Sequence, residues 1–591
     1  MAGQEIRPSL SSQFDWHAKF GRRSYLNYQD EDASWDKVRR QYRDSPADLT
    51  TSTIKFFLGI DDDSPEIFYR AEQIEVLCSE IDMDKLRRNN ESISSQAAAW
   101  LNEMSPCGEE MKFRQHPCPL HPQQVYAALR EKRFHDANSP ERTGVPDAER
   151  RLLYITDLDS IMVAAIILTA SYRFAWAMSS FLFHHIGLHP QVHIRILHNK
   201  PAVFSMEFHL PFYAWRRHGT LREDTRKKAN GEPLRKSRAL AFLVSKDPDG
   251  LDDQDCVYES CVSCTVTGYN DFVWTACLAV DTYFSDVNET KDKVSDYGDE
   301  DVIFSDPLLA PYNRYMHDPA RPILDPRAYF LAVFSAWIKR VENEWGNVIF
   351  RLRCGIEQFT KTSKELFGIQ NDDQLTEALR KGYNCTDEAE ELLVKFSNTL
   401  EEVANAWRAI ESQFSNQYFK TKPGSEMEEK FTSYLHEIGH AHSVLRNYRI
   451  QLGHLSELCE RYRRQLELFL HLRGNHGVVL QEWNITLFYF LSPPALAASL
   501  LQSGVVVMES QLLCFFILTA GIAAATYTLK PAWTWISRRR HARAVARIPA
   551  LETMDTMSPI PESYALPLSY HLPRLPARTY TSKQASNWSE A

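Results

Sequence analysis

The spacing of hydrophobic and polar positions changes several times along this chain, and each change predicts a different kind of element. Leu152 to Ile155 is a short apolar run with strand character, and Ser160 to His185 reads as one or two strongly apolar helices. Val192, Ile194 and Ile196 then alternate with His193 and Arg195, and Phe204, Met206 and Phe208 alternate with Ser205, Glu207 and His209. A period of two is the pattern of half-buried strands. Cys256 to Thr267 and Phe272 to Tyr283 flank the turn residues Gly268, Tyr269, Asn270 and Asp271, which predicts a β-hairpin. Beyond about Asp325 the period lengthens to that of helices, over Tyr329 to Phe359 and Glu388 to Phe414. Leu435, Ile438, His442, Leu445, Tyr448, Leu452, Leu455, Cys459, Tyr462, Leu466 and Phe469 then fall at three- and four-residue steps. Such a heptad-like stripe requires partner helices.

Two further apolar segments, Ile485 to Val507 and Gln511 to Leu529, are separated by a short connector and hold one charge, Glu509. Each is about as long as the roughly 20 residues that cross a bilayer as a helix. Arg461, Arg463, Arg464 and Arg473 precede the pair, and Lys530, Arg538, Arg539, Arg540, Arg543 and Arg547 follow it, while the connector has no Lys or Arg. The positive-inside rule therefore predicts an integral membrane protein with two spans and both termini cytosolic, leaving the membrane itself open. On a helical wheel Asn484, Ser492, Ser499, Gln502 and Ser503 share about a third of the circumference. That stripe can line an ion pathway or serve as a packing face between membrane helices.

Composition sharpens the picture in two places. The net charge is −10, and the one dense basic cluster directly follows the second apolar segment, so a nucleic-acid partner is not expected. The 11 cysteines of a chain facing the cytosol are expected to stay reduced, without a disulfide framework. The expected organisation is 1–149 of unclear fold, 150–325 an α/β domain, 326–482 a helical stalk, 483–529 the two transmembrane helices, and 530–591 a basic and then disordered cytosolic tail.

This order of a cytosolic α+β domain, long helices and a two-helix transmembrane hairpin resembles the CorA-type divalent cation transporters. The resemblance is closer to the fungal CorA-like group, through Arg151-Leu-Leu-Tyr-Ile-Thr-Asp-Leu-Asp159, Glu207-Phe-His-Leu-Pro-Phe-Tyr-Ala-Trp215 and Asp325-Pro-Arg-Ala-Tyr-Phe-Leu331. It implies a homo-oligomer, a pentamer in that family, which passes Mg²⁺ or a related divalent cation. No stably bound cofactor and no enzymatic activity are implied, and Mg²⁺ enters as the transported or sensed ion. CorA transporters carry Gly-Met-Asn at the outer end of the first span, where this chain has Gln502, Ser503 and Gly504. The alternative is a membrane-anchored interaction protein that kept the scaffold and lost transport.

Other candidate sites are weaker. His436-Glu437-Ile438-Gly439-His440 matches the H-E-x-x-H pattern of zinc metalloproteases, but Ser443 and Arg446 stand where the extended form has Gly and a third His. Cys261 and Cys264, with Cys256 and Cys277, lie in strand-like sequence, where cysteines usually act as small buried hydrophobes. Cys107, His116, Cys118 and His121 have ligand chemistry without a zinc-motif spacing. Acidic loops at Asp252 and Asp253 and at Asp296 to Asp306 are candidates for sensing Mg²⁺.

Overall fold

The computed structural model describes residues 65–78, 97–107, 110–114, 116–134, 146–197, 202–218, 220–240, 254–285, 306–309, 322–362, 372–413, 418–421 and 423–502, with Trp16, Phe20, Leu86, Ser95 and Val294; over 472–502 it describes the backbone alone. The chain divides into two compact units, Met1–Leu468 and Phe469–Ala591.

The first unit is built on one mixed sheet. Its strands are β1 (Ala98–Cys107), β2 (Glu110–Arg114), β3 (Arg150–Thr156), β4 (Gln191–Leu197), β5 (Val203–His218), β6 (Ser237–Ala239), β7 (Gln254–Gly268) and β8 (Trp274–Val280). Their order is β2-β1-β3-β8-β7-β5-β4, with β6 on the outer part of β7. Only β3 and β8 run parallel; every other pairing is antiparallel. β7 and β8 form the hairpin that the turn residues predict. Gly268 is required at its base, because a Cβ there would lie 2.6 Å from both Trp274 Cβ and the Val273 carbonyl. The sheet also takes β1 and β2 from sequence that precedes Arg150.

Each face of the sheet is covered. Alternate residues of the central strands, among them Leu152, Tyr154, Phe204, Met206, Phe208, Cys264, Val266 and Leu278, pack into one large apolar cluster with the long helices α5 (Pro326–Thr362), α6 (Asp372–Gln413) and α7 (Glu426–Gln502). The opposite parity, Ala99, Leu101, Leu153, Ile155, Cys277 and Ala279, meets the short helices α1 (Pro65–Cys78), α2 (Pro122–Arg130), α3 (Ser160–Thr169) and α4 (Ala175–Gly187). A helix that is apolar all round must be buried all round. That condition holds for α3, capped by Asp159 accepting from the Met162 amide, and for α4, whose residues Phe181 to Ile186 are all buried.

The expected α+β domain followed by a stalk and a two-helix transmembrane hairpin is overturned. No helix among the described residues is long and apolar enough to cross a membrane. The first expected span begins inside α7, whose described part ends at Gln502; Ser492, Ser499, Gln502 and the pair Pro493 and Pro494 interrupt the apolar run that spanning demands, and Asn484 stands just before it. Gln511 to Leu529, Ser503 and the tail 530–591 lie outside the described residues. The integral-membrane placement with two spans is corrected accordingly.

Candidate metal centre

The sheet is apolar beneath α3 but not beneath the end of α4. There β5 presents Ser205, Glu207 and His209 and β7 presents Ser263, Thr265 and Thr267, all of them buried. These are the polar members of the two-residue alternation. They meet the last turns of α4, which carry Ser180, His184 and His185.

Among the described residues, His184, Glu207 and His209 form the one group able to hold a metal ion, with one ligand atom from each lying within 4.8 Å of the others. Glu207 and His209, two residues apart on one strand, necessarily share a face. His184 arrives from the helix above. Its ring stacks on that of His209 with centroids 4.8 Å apart. His184 Nδ1 donates to the Ser180 carbonyl at 2.8 Å, since a carbonyl can only accept, and this leaves the Nε2 lone pair for a ligand. Glu207 accepts from Ser180 Oγ at 2.8 Å and from Ser205 Oγ at 2.7 Å. The His209 Nε2 is 3.6 Å from Glu207, beyond a normal hydrogen bond, and both of its ring nitrogens are buried with no hydrogen-bond partner.

Burial sets the protonation states. It pushes His184 down to about 3, with His209 adding to the effect, and it lowers His209 as well, with Glu207 only partly offsetting it. Burial alone would raise Glu207, but the His209 ring and the hydroxyls of Ser205 and Ser180 outweigh it and hold the carboxyl below its usual range. Neutral imidazoles and an ionised carboxylate are the forms that bind a metal. A tetrahedral zinc ion with bonds of about 2.0–2.1 Å would draw the donors to about 3.3 Å apart. Closing the group from its present spacing takes roughly an ångström of side-chain movement.

The next residue of α4 belongs to a separate buried ion network. His185 Nδ1 lies 3.0 Å from Ser263 Oγ, and its Nε2 is 3.6 Å from Asp281, at the end of β8. Asp281 accepts from Arg226 and Arg235, each at 2.7 Å, and from the Cys261 amide at 2.9 Å. Arg235 also donates to the carbonyls of His185 and Ile186, at 2.7 and 2.8 Å. It thereby satisfies the open carbonyls at the end of α4. Asp157, after the parallel strand β3, accepts from the Thr282 amide and hydroxyl and is pushed by burial up to about 6. These contacts fix the helix turn that carries His184.

The sites favoured by sequence are dispersed. Asn484, Ser492, Ser499 and Gln502 lie on the backbone of α7, and Ser503 is outside the described residues. His436 and His440 are exposed, Glu437 is held by Ser335 and Lys339, and no third ligand joins them among the described residues. Cys264 belongs to the long-helix face, whereas Cys261 touches Ser263 on the other; burial pushes the Cys261 thiol up to about 12. His116 is bound to Glu103 at 3.2 Å, Cys118 donates to the Val294 carbonyl, and His121 caps α2. Asp252, Asp253 and Asp296 to Ser305 lie outside the described residues, and Asp306 is engaged by Arg150 and Tyr329.

The sequence reading missed His184, Glu207 and His209 as a group, although it held a signal for them. Glu207-Phe-His209 places two ligand types on one strand face, and His184 ends a helix too apolar to be exposed. No protein-family model matches the chain, and no match is found among curated proteins.

Proposed function

We propose that this protein binds a transition-metal ion of the zinc type in the polar layer under α4, through His184, Glu207 and His209. The observation that carries the reading is His209, a fully buried imidazole with two unpartnered nitrogens beside a carboxylate and a second imidazole. A buried polar group without a partner costs roughly 1–3 kcal/mol. A cation bound there would take up one of the His209 nitrogens and neutralise Glu207 together. The donor set also indicates the ion. Two imidazoles and one carboxylate suit zinc or a neighbouring first-row metal, whereas Mg²⁺ prefers oxygen donors and retains waters.

The test is metal analysis of the full chain purified without chelators, beside His209→Ala. We expect about one equivalent of zinc-type metal in the wild type, from the four-coordinate chemistry of such sites, and its loss in the variant. Absence of stoichiometric metal after zinc loading, or equal binding by His209→Ala, would remove the reading.

A further inference from the structure

Three protein donors leave a zinc ion one ligand short, and what fills the fourth position decides what the centre does. Catalytic zinc keeps that position for water or substrate, while structural zinc closes it with a fourth protein donor. The turn after α4 offers such a donor. His189 Nε2 is buried with no hydrogen-bond partner. The His189 ring stacks on Phe183 at 4.9 Å and lies 6.4 Å from the His184 ring, centroid to centroid.

Two backbone features hold this ring beside the end of α4. Leu188 adopts a left-handed conformation, φ 57°, at the position that ends α4, where glycine is the usual residue. The His189 amide donates to the His184 carbonyl at 3.1 Å, so the chain doubles back over the turn that carries His184. The glycine instead stands one residue earlier. A Cβ on Gly187 would lie 2.6 Å from both Cδ2 and Nε2 of His189, and 2.9 Å from Gln73 Oε1. Gly187 is therefore placed where the imidazole needs room, while a leucine bears the left-handed backbone. Strain of this kind persists when the surrounding structure fixes it, and it concentrates at functional sites.

We infer that His189, which lies outside the group of donors within 4.8 Å of one another, turns in as the fourth ligand of the ion held by His184, Glu207 and His209, closing the shell as three imidazoles and one carboxylate. The inference rests on the metal reading above and assigns the centre a structural role. A closed shell has no position at which to activate water; it fastens the end of α4 to β5. Gln191, the register partner of His209, also has a buried oxygen without a donor, but imidazole is the better ligand for a borderline ion.

The probe is Co²⁺ alone, titrated into the metal-free full chain. The wild type should bind one ion with the intense visible bands of four-coordinate cobalt. His189→Ala should still bind one ion, more weakly by at least the roughly 10–100-fold that outer-shell losses cost, and with weaker bands. Added imidazole should restore those bands, which a folding defect would not allow. Gly187→Ala, which retains His189 but displaces its ring, should resemble His189→Ala. Wild-type bands and affinity in His189→Ala, or their loss in Gln191→Ala instead, would overturn the assignment and leave the three-donor site standing. No Co²⁺ binding by the wild type, or binding indifferent to His209→Ala, would remove the metal reading and this inference with it.

Discussion

At the scale of single residues, buried charge governs this molecule more than its surface does. Asp281 is held by two arginines and a backbone amide, and Arg235 passes that hold on to the last carbonyls of α4. Removing one member of a buried ionic group leaves its partners charged and unpaired, which costs roughly 3–5 kcal/mol. Asp281→Asn should lower the unfolding free energy by about that much in urea titrations, and a change below about 1 kcal/mol would show that the arginines find other partners. Little of this network was legible in the sequence. Asp224, which accepts from Arg226 at 2.8 Å, lies with Arg226, Arg235 and Asp281 along loops and strand ends with no shared spacing, so only the fold brings them together. The metal group was half legible, because Glu207 and His209 must share a face whatever the fold, but nothing local indicates that α4 lies over them.

Among the elements, α7 shows what a periodic pattern can and cannot specify. Its stripe predicts an inward face, and Ile438, His442, Leu445, Leu452, Leu455, Cys459, Tyr462 and Leu466 are buried along it. The stripe names no partner; His442 stacks on Trp407 of α6 at 5.0 Å and 4°, and meets the edge of Phe334 of α5. Neither of its nitrogens has a hydrogen-bond partner, and burial, reinforced by Arg446, pushes it down to about 3. The folded state thus keeps His442 neutral while the unfolded chain takes up a proton near pH 6.5. Its contribution to stability is complete above that pH and falls as the pH drops toward 3. The loss should reach roughly 3 kcal/mol at pH 4. His442→Leu should flatten this part of the pH profile, read as the urea midpoint between pH 7 and pH 4; an unchanged slope would assign the acid sensitivity elsewhere. For β5 the alternation separates the two faces of the strand correctly but not their surroundings. Alternation suggests one face toward water, whereas both are covered here, and the polar one carries Glu207 and His209.

Across the whole molecule, one sheet carries two different kinds of interface. The face under α5, α6 and α7 is closed by aromatic and aliphatic packing, while the other adds to its apolar packing a polar layer beneath the end of α4, some of it without hydrogen-bond partners. The expectation of membrane spans failed at this scale, since no helix among the described residues is long and apolar enough to cross a membrane. The two faces should respond differently to metal removal. Apolar packing needs no ion, so α5 should keep its stability, whereas the α4 face should loosen once Glu207 is left without a counter-charge. Metal that binds only the folded state stabilises it by about 2.7 kcal/mol at a free concentration of 100 Kd, and chelation removes that term. Hydrogen exchange measured with zinc and with a chelator should therefore show faster exchange over 175–187 and 203–210 in the chelated sample, with 326–362 unchanged. Equal acceleration in both regions would mean that the ion supports the entire unit rather than one face. No difference in either would mean that polar contacts alone hold α4 to the sheet.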